Sequence, residues 1–123
     1  MFEAVVEREF CAAHALRLPG GSLEPLHGHN WHVAVAVSRN GLDHLETVMD
    51  FHELEASVDA AIAPWRNANL NDCRPFAGDG YNPSAERVAQ AIAEAVTPAL
   101  PEGVRLSWVS VTEAPGCRAV YRP

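Results

Sequence analysis

The chain has 123 residues, 48% of them hydrophobic, and a net charge of -7. That length sets one domain over residues 1–123, with enough apolar material for a core. No apolar run approaches the roughly 20 residues of a bilayer span, and the acidic balance argues against a nucleic-acid or anionic-membrane partner.

Residues Phe2 to about His14 alternate weakly and carry Val5, Val6 and Phe10, which reads as a strand. Leu18-Pro19-Gly20-Gly21-Ser22 is a loop. Leu26 to about Ser38 forms a second, β-rich strand, and Asn40-Gly41 marks a turn after it. A short strand is expected at Thr47-Val48-Met49. Asp50 can cap the next helix, with Glu53 three residues on. Leu54, Val58 and Ile62 give that helix one apolar stripe, and Pro64 closes it. Residues 65–81 are irregular. Asn82-Pro83-Ser84 opens a second helix with proline in its first turn, striped by Val88, Ile92 and Val96. Pro98 and Pro101 end it. Val104–Thr112 and Arg118–Tyr121 are two final strands around the turn Ala114-Pro115-Gly116. Strands, then helices, then strands indicate an α+β fold.

The N-terminus has neither a basic region nor an apolar core, so no export signal is expected. Cys11, Cys73 and Cys117 are an odd number without tight spacing, which suits free thiols in a reducing cytoplasm. The chain has no lysine, so Schiff-base chemistry and the lysine-bearing phosphate loop are excluded.

The histidines carry the chemistry. His27 and His29 are two residues apart at the start of a strand, so their imidazoles share a face. His14 ends the first strand and supplies a third ring. Three neutral imidazoles with an open position compose a catalytic zinc site, whereas a structural site closes its shell with a fourth protein ligand, often cysteine. Cys11, three before His14, faces away by strand parity, and His32 faces away from His27 and His29 for the same reason. His44 and His52 read as ordinary surface histidines.

Phe10-x-Ala12-Ala13-His14, Leu26-His27-Gly28-His29, Val48-Met49-Asp50-Phe51, Leu70-Asn71-Asp72, Asn82-Pro83-Ser84-x-Glu86 and Val111-Thr112-Glu113 occur in this order. Jointly they resemble the 6-pyruvoyl-tetrahydropterin synthase family, which includes the queuosine-pathway 6-carboxytetrahydropterin synthases. The resemblance implies the tunnelling fold (T-fold): a four-stranded antiparallel sheet with two helices on one face. It implies a homohexamer, a dimer of trimers with sites between subunits, and a small-molecule pterin substrate. The zinc ligands carry over to His14, His27 and His29. Glu113 carries over as the carboxylate that anchors the pterin ring, accepting two parallel hydrogen bonds from its amino-pyrimidinone edge. Ser84 falls where the family places hydroxyl residues near the pterin, a position that equally suits a helix cap.

Two departures qualify the activity. The family's cysteine, four residues before the first histidine of His-Gly-His, is Leu23 here. Glu24 sits three residues before His27 instead, an arrangement resembling enzymes that cleave the side chain of dihydroneopterin triphosphate to a folate precursor, 6-hydroxymethyl-dihydropterin. There Glu24 is the expected base and zinc the expected stabiliser of charge. The usual Asp-His pair reads Arg66-Asn67, which removes a histidine proton shuttle. The alternatives are a diverged homologue acting on another reduced pterin or deazapurine precursor, or one that binds pterin without turnover. Arg8, Arg17 and Arg66 are the candidates for holding the substrate's phosphates.

Overall fold

The computed structural model describes residues 1–123. Strand β1 (Phe2–His14) pairs antiparallel with β2 (His27–Arg39) along its whole length, from Phe2 opposite Arg39 to His14 opposite His27. Helix α1 (Phe51–Ile62) follows, then the two-residue strand β3 (Ala68–Asn69), helix α2 (Ala85–Val96), β4 (Arg105–Ala114) and β5 (Cys117–Tyr121). The sheet order is β3-β1-β2-β4-β5. Four strands are antiparallel as expected; β3 adds a fifth, parallel to the end of β1. No helix is long and apolar enough to cross a membrane.

Strand alternation places Ala4, Val6, Phe10, Ala12 and His14 of β1 on one buried face. Trp31, Val33, Val35 and Val37 of β2 line the same core. Against it pack Leu54, Val58 and Ile62 of α1 and Val88, Ala89, Ile92, Ala93 and Val96 of α2. These positions recur every three or four residues, so each helix buries a single stripe. Ile92 has no exposed surface, and its truncation to alanine removes about 2–5 kcal/mol. Asp50 caps α1 by accepting from the His52 N–H at 2.8 Å.

Two local expectations are corrected. Thr47-Val48-Met49 is not a strand. Both edges of β2 are already occupied, by β1 and β4, and the Asp43 carboxylate gathers Leu45 N–H, Thr47 N–H and Thr47 Oγ1–H into a tight loop. Val48 and Met49 still bury in the core. Pro83 lies ahead of α2 rather than in its first turn; Ser84 is the cap and Ala85 the first helical residue.

Candidate metal centre

Strands β1 and β2 end together, which sets His14 opposite His27, and His29 lies two residues along β2 opposite Ala12. The three rings gather at centroid separations of 4.7, 5.1 and 4.8 Å. They continue the core stripe of the two strands. Trp31 forms the floor: it is fully buried, donates its indole N–H to Ala12 O at 3.0 Å, and stands edge-on to His14 and His29.

Each ring is oriented from behind or left open. His14 Nδ1 lies 2.7 Å from Pro83 O, and His27 Nδ1 lies 2.8 Å from Pro25 O. A carbonyl only accepts, so both Nδ1 atoms carry a proton, and in the neutral rings both Nε2 lone pairs point into the cluster. Those two Nε2 atoms are 3.1 Å apart. Lone pairs facing at that distance repel unless a cation lies between them. His29 Nε2 is buried without a hydrogen-bond partner. Burial pushes the His29 pKa below its ordinary value; His14 and His27 add to that and the Glu113 charge opposes it. The neutral ring is the form that ligates a metal.

Glu113 joins the cluster from β4. A β-bulge between Thr112 and Ala114 breaks the pairing with β5 at this residue, and bulges re-aim side chains. Gly116, at φ 82°, makes the adjoining turn. Glu113 Oε1 lies 2.9 Å from His14 Nε2 and 3.6 Å from His29 Nε2. One donor atom from each of His14, His27, His29 and Glu113 falls within 4.8 Å of the others. Imidazole nitrogen and carboxylate oxygen are donors zinc takes, so the residues present fit that ion.

Glu24 stands beside this group. Its Oε1 accepts from the Leu16 N–H at 2.9 Å while its own N–H donates to Leu16 O at 3.0 Å, and Oε1 is 4.0 Å from His27 Nε2. Ser84 caps α2 by accepting from the Arg87 N–H at 3.2 Å. It also lines, with Leu16, Glu113, Cys117 and Arg118, an open pocket of about 360 Å³. A larger hollow of about 940 Å³, between Arg39, Asp43, Met49 and Glu102, contains none of these histidines. The site follows the donors, not the volume.

The remaining expected residues lie elsewhere. His32 faces the other side of the sheet, 3.4 Å from Glu7, and Cys11 is exposed. His52 is a surface partner of Glu55. The three arginines considered for phosphate are engaged in the fold: Arg8 with Glu55 and Asp59, Arg17 with the carbonyls of Phe76, Gly80 and Tyr81, and Arg66 with Glu9 O.

Sequence reasoning missed what holds the end of β1. Asn71 accepts from the Ala15 N–H and donates to Ala15 O, both at 2.8 Å. Asn82 does the same for Arg17, at 2.8 and 3.1 Å. Each amide stands in for a neighbouring strand just beyond His14. The motifs Leu70-Asn71-Asp72 and Asn82-Pro83-Ser84 were visible, but not that they clamp the histidine strand.

A largely antiparallel sheet with two helices on one face defines a T-fold domain, and the three-histidine cluster at its end could hold a metal ion. The family model for 6-pyruvoyl tetrahydropterin synthase matches residues 3–123, and the chain belongs to that family of lyases in pterin metabolism. The 6-pyruvoyl tetrahydropterin synthase of Caenorhabditis elegans has the same fold, with TM-score 0.81 at 22% identity over 100% of this chain and 97% of that one. The Plasmodium vivax enzyme gives 0.79 at 20% identity over 99% and 97%, and the Plasmodium falciparum enzyme 0.74 at 20% over 98% of each chain. No curated protein sequence matches the chain.

Proposed function

We propose that this protein is a zinc-dependent lyase acting on the side chain of a reduced pterin such as 7,8-dihydroneopterin triphosphate. The observation that carries the reading is the convergence of His14, His27 and His29 with Glu24 pinned 4.0 Å from His27 Nε2. A zinc ion held by the three histidines supplies Lewis acidity, stabilising negative charge on a substrate oxygen.

The chain's own residues do the rest. Glu113 accepts the ring edge and fixes the ring, with Ser84 on the same pocket wall. Glu24 takes the proton of the second side-chain hydroxyl. The bond between the first and second side-chain carbons breaks, and its electron pair passes into the conjugated ring imine. A proton returned to the first carbon leaves 6-hydroxymethyl-dihydropterin, and the departing fragment is an aldehyde. Glu24 suits the role because the Leu16 N–H holds one oxygen and fixes the carboxylate's aim. A Plasmodium vivax relative with its catalytic glutamate changed to alanine shares this fold, at TM-score 0.79 and 19% identity over 99% of this chain and 97% of that one, which supports a glutamate in the catalytic role.

A second reading has its own observation. Arg66 and Asn67 stand where the family's acid and histidine would be, with the Arg66 guanidinium donating to Glu9 O and the Asn67 backbone N–H to Cys11 O at 2.7 Å. With no proton shuttle there, the two-base synthase reaction loses a base. That favours the side-chain cleavage above, or failing it, a diverged homologue that turns over another pterin or deazapurine precursor or only binds pterin.

The deciding experiment incubates zinc-loaded protein with 7,8-dihydroneopterin triphosphate and identifies products by mass spectrometry. Release of 6-hydroxymethyl-dihydropterin, reduced about 10²–10⁴-fold in Glu24→Gln while zinc is retained, is the expected result. An unchanged rate in Glu24→Gln removes Glu24 as the base; bound pterin without product selects the non-catalytic reading.

Residues 1–123 are taken as one domain in a homohexamer. The sheet face away from the helices carries Val5 and Val120 exposed, which supports association of copies there. Light scattering at the monomer mass of 13.3 kDa would remove that assembly. Free Cys11, Cys73 and Cys117 support a cytoplasmic location.

A further inference from the structure

Glu113 is placed for two uses that need its carboxylate aimed in different directions. It faces the open pocket beside Ser84 and Leu16, where a ring would lie. Its Oε1 nevertheless sits inside the histidine cluster. Two parallel N–H donors need both oxygens turned toward the pocket, whereas a metal among the histidines draws Oε1 into the cluster, so the carboxylate must swing to pass from one use to the other.

Geometry favours the metal in the ligand-free protein. A tetrahedron with bonds of 2.0–2.1 Å has edges of about 3.3 Å between donors. Three of the six edges are 3.1 Å for His14 to His27, 2.9 Å for His14 to Glu113 and 3.6 Å for His29 to Glu113, and the other three lie within 4.8 Å, so the four donors stand close to a metal's shell before any ion draws them in. Charge agrees: three neutral imidazoles leave a dication uncompensated in a half-buried site, and one carboxylate halves that charge. Tethering agrees as well. A backbone N–H holds Glu24, whereas the polar partners of Glu113 are the histidine nitrogens alone. Nothing except the cluster keeps its carboxylate inward, and the side chain is 30% exposed on the pocket side.

We propose that Glu113 is a displaceable fourth ligand. It closes the metal's shell while the pocket is empty and leaves it to grip the ring when pterin enters. The substrate itself thereby opens the coordination position that its side chain then uses. This rests on the zinc and pterin reading above, and adds that metal ligation and ring binding compete for one carboxylate.

The test uses Co(II) as the metal and side-chain-free 7,8-dihydropterin as the probe. Affinity is measured by chelator competition and coordination by the visible cobalt spectrum. Glu113→Gln should weaken metal binding roughly tenfold or more, the scale that even outer partners of metal ligands reach, and should shift the cobalt bands. Dihydropterin should move the wild-type bands toward those of Glu113→Gln. Glu113→Asp, with the charge kept but the reach shortened, should fall between, and metal-free circular dichroism checks that each variant is folded. Equal affinity and equal spectra in wild type and Glu113→Gln overturn the ligand role. A wild-type spectrum that saturating dihydropterin leaves unchanged overturns the exchange. A wild-type chain that binds no cobalt or zinc overturns this proposal together with the metal reading beneath it, which separates the two failures.

Discussion

The helix-facing side of β1 carries two polar clusters, and they differ in what they lack. Arg8 lies between Val6 and Phe10 on that face, and its guanidinium meets Glu55 at 2.7 Å and Asp59 at 2.8 Å. Donating to the Asp59 carboxylate and then to Glu55 raises its pKa. Arg66 also approaches Asp59, at 3.9 Å, so each carboxylate there lies against a guanidinium and the cluster is complete as it stands. Six residues further along, His14 presents a lone pair to the lone pair of His27, and His29 Nε2 has no partner. Buried polar atoms normally find partners. One group is satisfied by the chain alone; the other leaves His29 Nε2 unmatched, among four atoms that could ligate a metal. A dense polar cluster is therefore no sign of a site until its donors and acceptors have been matched.

The comparison breaks most sharply at His29. His29→Ala should lose nearly all of the one zinc per chain that the wild type holds after dialysis. Because the ring makes no hydrogen bond through Nε2 and is 20% exposed, the metal-free fold should survive, its melting temperature moving by a few degrees at most. Full zinc occupancy in His29→Ala, by atomic absorption, would mean that the cluster is not the site. The next effect in size comes from the clamp. Asn71→Ala leaves the N–H and C=O of buried Ala15 without partners, costing about 1–3 kcal/mol in urea unfolding, and loosens the strand end that aims His14, so zinc affinity falls too. Asn71→Asp keeps the acceptor and loses the donor, and should lie between.

Periodicity made much of this molecule readable. Two-residue alternation put His27 and His29 together and His32 on the other face. The stripes Leu54-Val58-Ile62 and Val88-Ile92-Val96 identified both helices. Events that depend on distant pairing were not readable. The Asn71 and Asn82 clamps join residues 56 and 65 positions apart. Glu113 enters the cluster through a bulge set by the β4–β5 register, which local pattern does not show. Thr47-Val48-Met49 has strand composition, but the Asp43 carboxylate draws Thr47 into a tight loop. β3 is two residues long, too short for any alternation to register.

Acid should sharpen the contrast between the two clusters. The His29 pKa lies below its ordinary value of about 6.5, so the folded chain binds fewer protons there than the unfolded one. Its contribution to stability is whole above about pH 6.5 and is lost as pH falls through the lower, folded value. Zinc affinity declines in the same direction, since protons compete for the ligands. Metal-free melting curves between about pH 8 and pH 5 should therefore be steeper for the wild type than for His29→Gln. Equal slopes would remove His29 as the source.

The smallest effect is expected at Arg8. Arg8→Met keeps much of the stem's packing against α1 and deletes the charge. The Glu55 and Asp59 carboxylates are partly exposed, with 27% and 46% of their side-chain surface open, so water takes over much of the guanidinium's work. The melting temperature should fall slightly at low salt and less at high salt, because the lost pairs are screened. Zinc affinity should not move, since neither Arg8 nor its partners belong to the four-donor group. A weaker zinc site in Arg8→Met would show that the two clusters communicate along β1, and the division between a self-satisfied cluster and an ion-dependent one would no longer hold.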